Sequence, residues 1–163
     1  MNDPNIDSAL PQRARPAHQP VFESHNRAAI IFLTVCTKDR KPILATDEIH
    51  KVLQTAWSAA THWLVGRYVI MPDHIHLFCA PGLFPAQPLA GWVRHWKTSI
   101  CKSVSAEAGT FWQRDFWDTQ LRGHESYSLK WEYVRNNPVR ARLVSTPDEW
   151  TFQGELNILR WHE

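Results

Sequence analysis

The chain has 163 residues, 44% hydrophobic and 12% aromatic, with 18 Lys and Arg against 16 Asp and Glu for a formal net charge of +2. That is enough for one compact α/β domain with a buried core and too little for two. No run approaches the roughly 18 apolar residues of a membrane span, and the N-terminus lacks the basic-then-apolar order of a secretory signal, so a cytoplasmic protein is expected.

Residues 1–20 carry Pro4, Pro11, Pro16 and Pro20 and show no periodicity, which predicts a disordered leader. Ala28 to Thr37 is a β-branched, apolar run ended by a polar turn at Lys38 to Pro42, and reads as a buried strand. Thr46 then precedes Asp47 and Glu48 as an N-cap before first-turn acids. Ile49, Val52, Leu53, Ala56, Trp57 and Ala60 follow at helical spacing. Leu64 to Met71 and Ile75 to Ala80 are short apolar runs joined at Pro72-Asp73, as an antiparallel pair with a tight connection would be.

After a Pro-rich loop over Pro81 to Pro88, Leu89 to about Ala106 places Trp92, Val93, Trp96, Ile100 and Val104 on one helical face. Phe111 to Leu121 is short and aromatic and reads as a strand; Glu125 to Asn137 reads as a final helix stopped by Pro138. The fold class expected from this order is α+β: a ferredoxin-like antiparallel sheet with helices on one face, plus a C-terminal helix. The domain would span residues 21–144, and the weakly patterned residues 145–163 would form a tail.

Cys36, Cys79 and Cys101 are odd in number and widely spaced, which predicts buried reduced thiols. Arg94, Lys97 and Lys102 make a basic central segment without an acid, while Asp148, Glu149, Glu155 and Glu163 weight the tail toward acid. A solvated helix face and a set of phosphate contacts are both open readings of that segment. Nine tryptophans include Trp92, Trp96, Trp112 and Trp117 near Arg94, Lys97 and Arg114. Such rings either fill a core or stack nucleic-acid bases.

His74-Ile75-His76 falls on the predicted hairpin's second arm, where alternation with a period of two puts both imidazoles on one face. Two such rings can share a divalent ion able to polarise a phosphodiester. On the last helix, Tyr127, Trp131, Val134 and Pro138 cluster within about 60° as a stripe for the sheet. Tyr133 lies off that stripe with Asn137 four residues on, so a phenol nucleophile and a carboxamide donor share one side. Tyr127 falls on the stripe, and Tyr68 has no carboxamide in register. Lys130, three residues before Tyr133, could favour the phenolate.

The stretch Tyr68-Val69-Ile70-Met71-Pro72-Asp73-His74-Ile75-His76-Leu77 and, much later, Trp131-Glu132-Tyr133-Val134-Arg135-Asn136-Asn137-Pro138-Val139-Arg140 closely resemble the two signatures of the REP-associated tyrosine transposases, a group of single-tyrosine HUH enzymes. Phe111 to Asp118, Leu121-Arg122 and Trp96-Lys97 also look like that family, and the resemblance spans about Ile30 to Val144. It implies a ferredoxin-like fold, a Mg²⁺ or Mn²⁺ ion, and single-stranded DNA hairpins as substrate. Carried across, His74 and His76 become metal ligands, Asn137 the third ligand, and Tyr133 the nucleophile. The product is a 5′-phosphotyrosyl DNA with a free 3′-hydroxyl, and rejoining is the reverse transesterification. Arg94, Lys97, Lys102, Arg114, Arg122 and Lys130 are the candidate DNA-binding cations.

Two positions depart from the family: Thr119 stands where a His is common, and Arg142 where a Gly is frequent. A relaxase or replication initiator, and a catalytically idle DNA-binding protein of the same fold, are the alternative readings. A monomer and a homodimer are both compatible with the sequence.

Overall fold

A computed structural model describes residues 29–160, apart from the side chains of His124 and Glu125; the leader expected over residues 1–20 lies outside these. The elements are β1 (Ile31–Cys36), α1 (Asp47–Ala59), β2 (Trp63–Ile70), β3 (His74–Pro81), α2 (Leu89–Ser103), α3 (Ala108–Phe111), β4 (Trp117–Gln120), α4 (His124–Arg135), α5 (Asn137–Arg140) and β5 (Gln153–Glu155). The strands form one antiparallel sheet in the order β4-β1-β3-β2-β5. The first four strands have the ferredoxin-like order, and the expected α+β class holds. No helix among the described residues is long and apolar enough to cross a membrane.

Strand alternation divides the core into two layers. Ile31, Leu33 and Val35 of β1 and Ile75, Leu77 and Cys79 of β3 face a large cluster with Leu53 and Trp57 of α1 and Val93, Trp96 and Ile100 of α2. Phe32 and Phe78 face the other way, with Val69, Tyr127 and Val134. α1 and α2 therefore cover one side of the sheet and α4 covers the other. β3 is buried along its whole length. The register of β2 shifts between Val65 and Tyr68, so Trp63, Val65, Tyr68 and Ile70 all reach the first layer.

Several boundaries follow local chemistry. Thr46 caps α1 by accepting from the Ile49 amide at 3.2 Å. Met71–Asp73 closes the β2–β3 hairpin, with the Met71 amide donating to the His74 carbonyl at 2.8 Å. The aromatic run over Phe111 to Leu121 is not one strand: Phe111 ends α3, Trp112 makes a single bridge to Thr37, and β4 begins only at Trp117. Pro138 does not simply stop the last helix either. Lacking the N–H that a continuous helix would donate to the Val134 carbonyl, it breaks α4 and sits in the first turn of α5.

The segment expected as a tail belongs to the sheet. β5 pairs with β2, Trp150 Nε1 donates to the Ile70 carbonyl at 3.0 Å, and Leu159 is buried in the α4 layer. Gly154 lies where a Cβ would stand 2.7 Å from the Tyr68 hydroxyl, so only glycine lets β5 dock this closely.

Candidate active site

β3 presents His74 and His76 on the α4 side of the sheet, in phase with Phe78. His76 is fully buried and His74 is 9% exposed. Their Nε2 atoms face each other at 3.1 Å. His74 Nδ1 lies 2.7 Å from Asp73 Oδ1, and because an ionised carboxylate only accepts, the ring donates there. With Nδ1 donating, Nε2 is the ring atom that His74 turns toward His76. His76 Nδ1 lies 2.9 Å from Thr34 Oγ1, a pairing set by the β1–β3 register that puts Thr34 opposite His76.

Arg40 organises the Asp73 end. Its backbone, with that of Asp39, is left-handed, at φ 54°. Its side chain donates through Nε to Asp73 Oδ2 at 2.8 Å and through Nη1 to Cys36 Sγ at 3.2 Å. Burial opposes ionisation of Asp73, but the hydrogen bonds from His74 and Arg40 outweigh it and hold the carboxyl well below its usual range. Burial, with the neighbouring His74, Lys130, Arg40 and Arg140 charges, holds His76 well below the ordinary histidine value and so neutral.

This donor set fits a divalent ion. Two nitrogens bound at right angles with bonds of about 2.1 Å stand about 3 Å apart, close to the separation found here. Each ring is also oriented through its other nitrogen, as ligating histidines are. The described residues hold no group of three His, Cys, Asp and Glu side chains suited to a metal, so a third protein ligand has to be another kind of donor.

Tyr133 projects from α4 on this same side. Lys130 Nζ lies 5.8 Å from its ring centre and 4.8 Å from that of Phe32, and Phe32 stacks on His76 at 5.2 Å. Burial lowers the pKa of Lys130. The Arg140 guanidinium covers the Tyr133 ring at 3.9 Å. Through Nη2 it donates to the Tyr133 carbonyl at 2.7 Å and to Asn137 Oδ1. Asn137 is buried, and its Nδ2 has no hydrogen-bond partner among the described residues. Tyr133 and Asn137 thus meet through Arg140, across a helix break.

The other two tyrosines are held away from such chemistry. Tyr68 is buried between His50 Nε2 at 2.8 Å and Gln54 Nε2 at 3.1 Å, and Tyr127 packs edge-on against Phe78. Burial pushes both phenols above their ordinary value.

Of the candidate DNA-binding cations, Arg94, Lys97 and Arg114 line an open cavity of about 800 Å³ with Lys38, between α2, α3 and the approach to β4. Arg94 and Arg114 are exposed, whereas Lys97 donates to the Gln113 carbonyl at 2.9 Å and has its pKa lowered by burial. Lys102 and Arg122 are exposed and do not line this cavity; Lys130 is at Tyr133. Trp96 and Trp112 are buried and so serve the core rather than base stacking, while Trp92 and Trp117 keep partial exposure. The three cysteines are buried free thiols.

Sequence reasoning missed Thr34, Arg40, Asp73 and Arg140. Thr34 had a faint signal as a polar residue in an otherwise apolar strand, and Arg140 lies one helical turn after Asn137.

No protein-family model matches the chain. It is 20% identical over 142 residues to an uncharacterized protein of Haemophilus influenzae, covering 66% of this chain and 79% of the relative. The solved structure of a REP-associated tyrosine transposase bound to a REP hairpin superposes with a TM-score of 0.68 at 19% identity, covering 83% of this chain and 82% of that one. At that identity the likeness establishes a shared fold.

Proposed function

We propose that the chain is a metal-dependent transposase-type nuclease that cuts and rejoins single-stranded DNA at hairpins, with Tyr133 as nucleophile. The observation that carries this reading is the His74–His76 pair, with Nε2 atoms 3.1 Å apart and each Nδ1 engaged elsewhere, on the sheet face that α4 covers with Tyr133. The shared fold supports it, and hairpin DNA as substrate is carried over from the relative of that fold.

His74 and His76 would hold Mg²⁺ or Mn²⁺, with the Asn137 carboxamide as third ligand. The ion would supply charge to a non-bridging phosphate oxygen. Asp73 and Thr34 keep the rings turned toward it. The Tyr133 hydroxyl oxygen bonds to phosphorus as the bond from phosphorus to the 3′-oxygen breaks, giving a 5′-phosphotyrosine and a free 3′-hydroxyl. The phenol loses one proton and the departing oxygen gains one, so the step is balanced and needs no nucleotide cofactor. Lys130 and Arg140 flank the ring with positive charge that complements the incoming phosphate.

The test is a denaturing gel of the protein with labelled single-stranded hairpins from its host's flanking DNA, with Mn²⁺ or EDTA. A metal-dependent covalent adduct is expected in wild type and Tyr127→Phe and absent in Tyr133→Phe. Hairpin binding without any adduct would replace this reading with a DNA-binding protein that has the fold but no chemistry.

A further inference from the structure

Asn137 Oδ1 is the atom of the carboxamide suited to a metal ion, and it is the atom Arg140 holds. The amide is buried and its Nδ2 finds no partner among the described residues, so among these the contact to Arg140 is the hydrogen bond that orients it. Arg140 itself is exposed, lies over the Tyr133 ring at 3.9 Å, and among the described residues is hydrogen-bonded at its far end to the Tyr133 carbonyl and Asn137. Three residues apart on the short turn of α5, the two side chains share one side and can separate without unfolding anything.

A guanidinium and a divalent ion cannot both sit close to one amide oxygen without strong repulsion. We propose that Arg140 is a metal-displaced latch: it holds the Asn137 carboxamide until an ion at the His74–His76 pair takes the same oxygen, so that metal binding and release of Arg140 are one event. This rests on the reading of His74, His76 and Asn137 as ligands. In this arrangement Arg140 is a positioning residue. It keeps the carboxamide in place when no ion is bound and leaves with its charge free beside Tyr133 when one arrives. The cost of opening the latch appears in the metal affinity, because only the unlatched fraction of molecules offers the full ligand set.

The alternative is that Arg140 merely caps the C-terminal end of α4 through the Tyr133 carbonyl. Thermal stability would then change on its removal, but metal affinity would not. The experiment is Mn²⁺ titration of the full-length chain without DNA, followed by the electron paramagnetic resonance signal of free Mn²⁺. It compares wild type, Arg140→Met, Asn137→Ala and the double variant, each first shown to melt cooperatively. Met keeps an unbranched stem on the Tyr133 ring and removes the charged fork.

The latch predicts that Arg140→Met binds Mn²⁺ tighter by about fivefold or more, and that this gain disappears when Asn137 is already Ala. Equal or weaker binding in Arg140→Met overturns the latch. So does a gain that persists without Asn137, which would assign the effect to simple repulsion between Arg140 and the ion. If wild type takes up no Mn²⁺, the latch falls together with the metal reading. The adduct gel then decides separately whether DNA cleavage stands.

Discussion

The Nε2 atoms of His74 and His76 face each other across 3.1 Å while each Nδ1 is engaged by a different strand or turn, Thr34 on β1 and Asp73 in the hairpin. Two imidazoles packed this closely need either one proton between them or a shared cation. Burial and the surrounding positive charges hold His76 neutral, so the ring has one lone pair, which lies at Nε2 for a cation when Nδ1 carries the proton and donates to Thr34 Oγ1.

Thr34→Val should therefore weaken metal binding while leaving the fold intact. The two side chains are nearly the same size, but the variant cannot pair with His76 Nδ1, and the ring loses the contact that fixes its tautomer. Loss of such an orienting partner typically costs about 10- to 100-fold in metal affinity. Calorimetric titration of Mn²⁺ into both proteins would measure it; an unchanged affinity would mean that the β1 hydroxyl has no part in the site.

Asp73→Asn bears on pH dependence. The folded-state pKa of Asp73 is held well below that of an unfolded carboxyl, so the folded protein binds fewer protons there and ionised Asp73 contributes stability above the unfolded value of about 4. That contribution is lost as pH falls below this value toward the depressed folded pKa. The melting temperature of wild type should exceed that of Asp73→Asn at neutral pH, and the gap should shrink steadily below about pH 4. A gap that stays constant across that range would show that the Arg40 and His74 contacts do not act through the carboxylate charge.

Gly154→Ala should loosen the β5 edge. The added Cβ would meet the Tyr68 hydroxyl at 2.7 Å, and that ring cannot swing aside because it is buried and tied to His50 and Gln54. Overpacking of this kind costs about 1–3 kcal/mol. Chemical denaturation should show the loss, with Leu159 and Trp150 also less protected because they dock beside β5.

Arg142→Gly should do the opposite. Arg142 has φ 59° and closes α5 with a paired arrangement in which its amide donates to the Val139 carbonyl and the Leu143 amide to the Pro138 carbonyl, both at 2.9 Å. This is the left-handed position that glycine occupies without steric cost, which explains why a Gly there is frequent in the family the sequence resembles. A gain of about 1 kcal/mol in unfolding free energy is expected, with adduct formation unchanged. A loss of stability would mean that the Arg142 side chain makes a contribution larger than its backbone strain.

What the sequence disclosed follows from periodicity. Alternation put His74 and His76 on one face, and the helical wheel put Tyr127 and Val134 on the sheet and Tyr133 off it, because both patterns are local. The partners of the two rings were not legible in this way, since Thr34 reaches His76 only through the β1–β3 register. β5 left no signal because Gln153, Gly154 and Glu155 bury no apolar face of their own; the strand exists because β2 offers an edge and Tyr68 leaves room only for Gly154. The aromatic run at Phe111 and Trp112 misled in the other direction. Its residues favour strands, but here they fill the core beneath α2, with Trp112 Nε1 donating to the Lys97 carbonyl at 3.1 Å.

The same packing separates the roles of the cations near α2. Arg94 and Arg114 are exposed on the wall of the 800 Å³ cavity, while Lys97 is committed to the Gln113 carbonyl. If single-stranded DNA runs through this cavity, Arg94→Ala and Arg114→Ala should each weaken binding regardless of sequence. Each should also reduce the slope of log affinity against log salt by about 0.7, the loss of one phosphate contact to a single strand. Lys97→Met should instead lower the melting temperature, because it releases the carbonyl that holds the approach to β4, and should leave the salt slope unchanged. Fluorescence anisotropy of a labelled hairpin at several salt concentrations distinguishes the two outcomes. Unchanged slopes in both arginine variants would place the phosphate track on the α4 side of the sheet, beside Lys130 and Arg140.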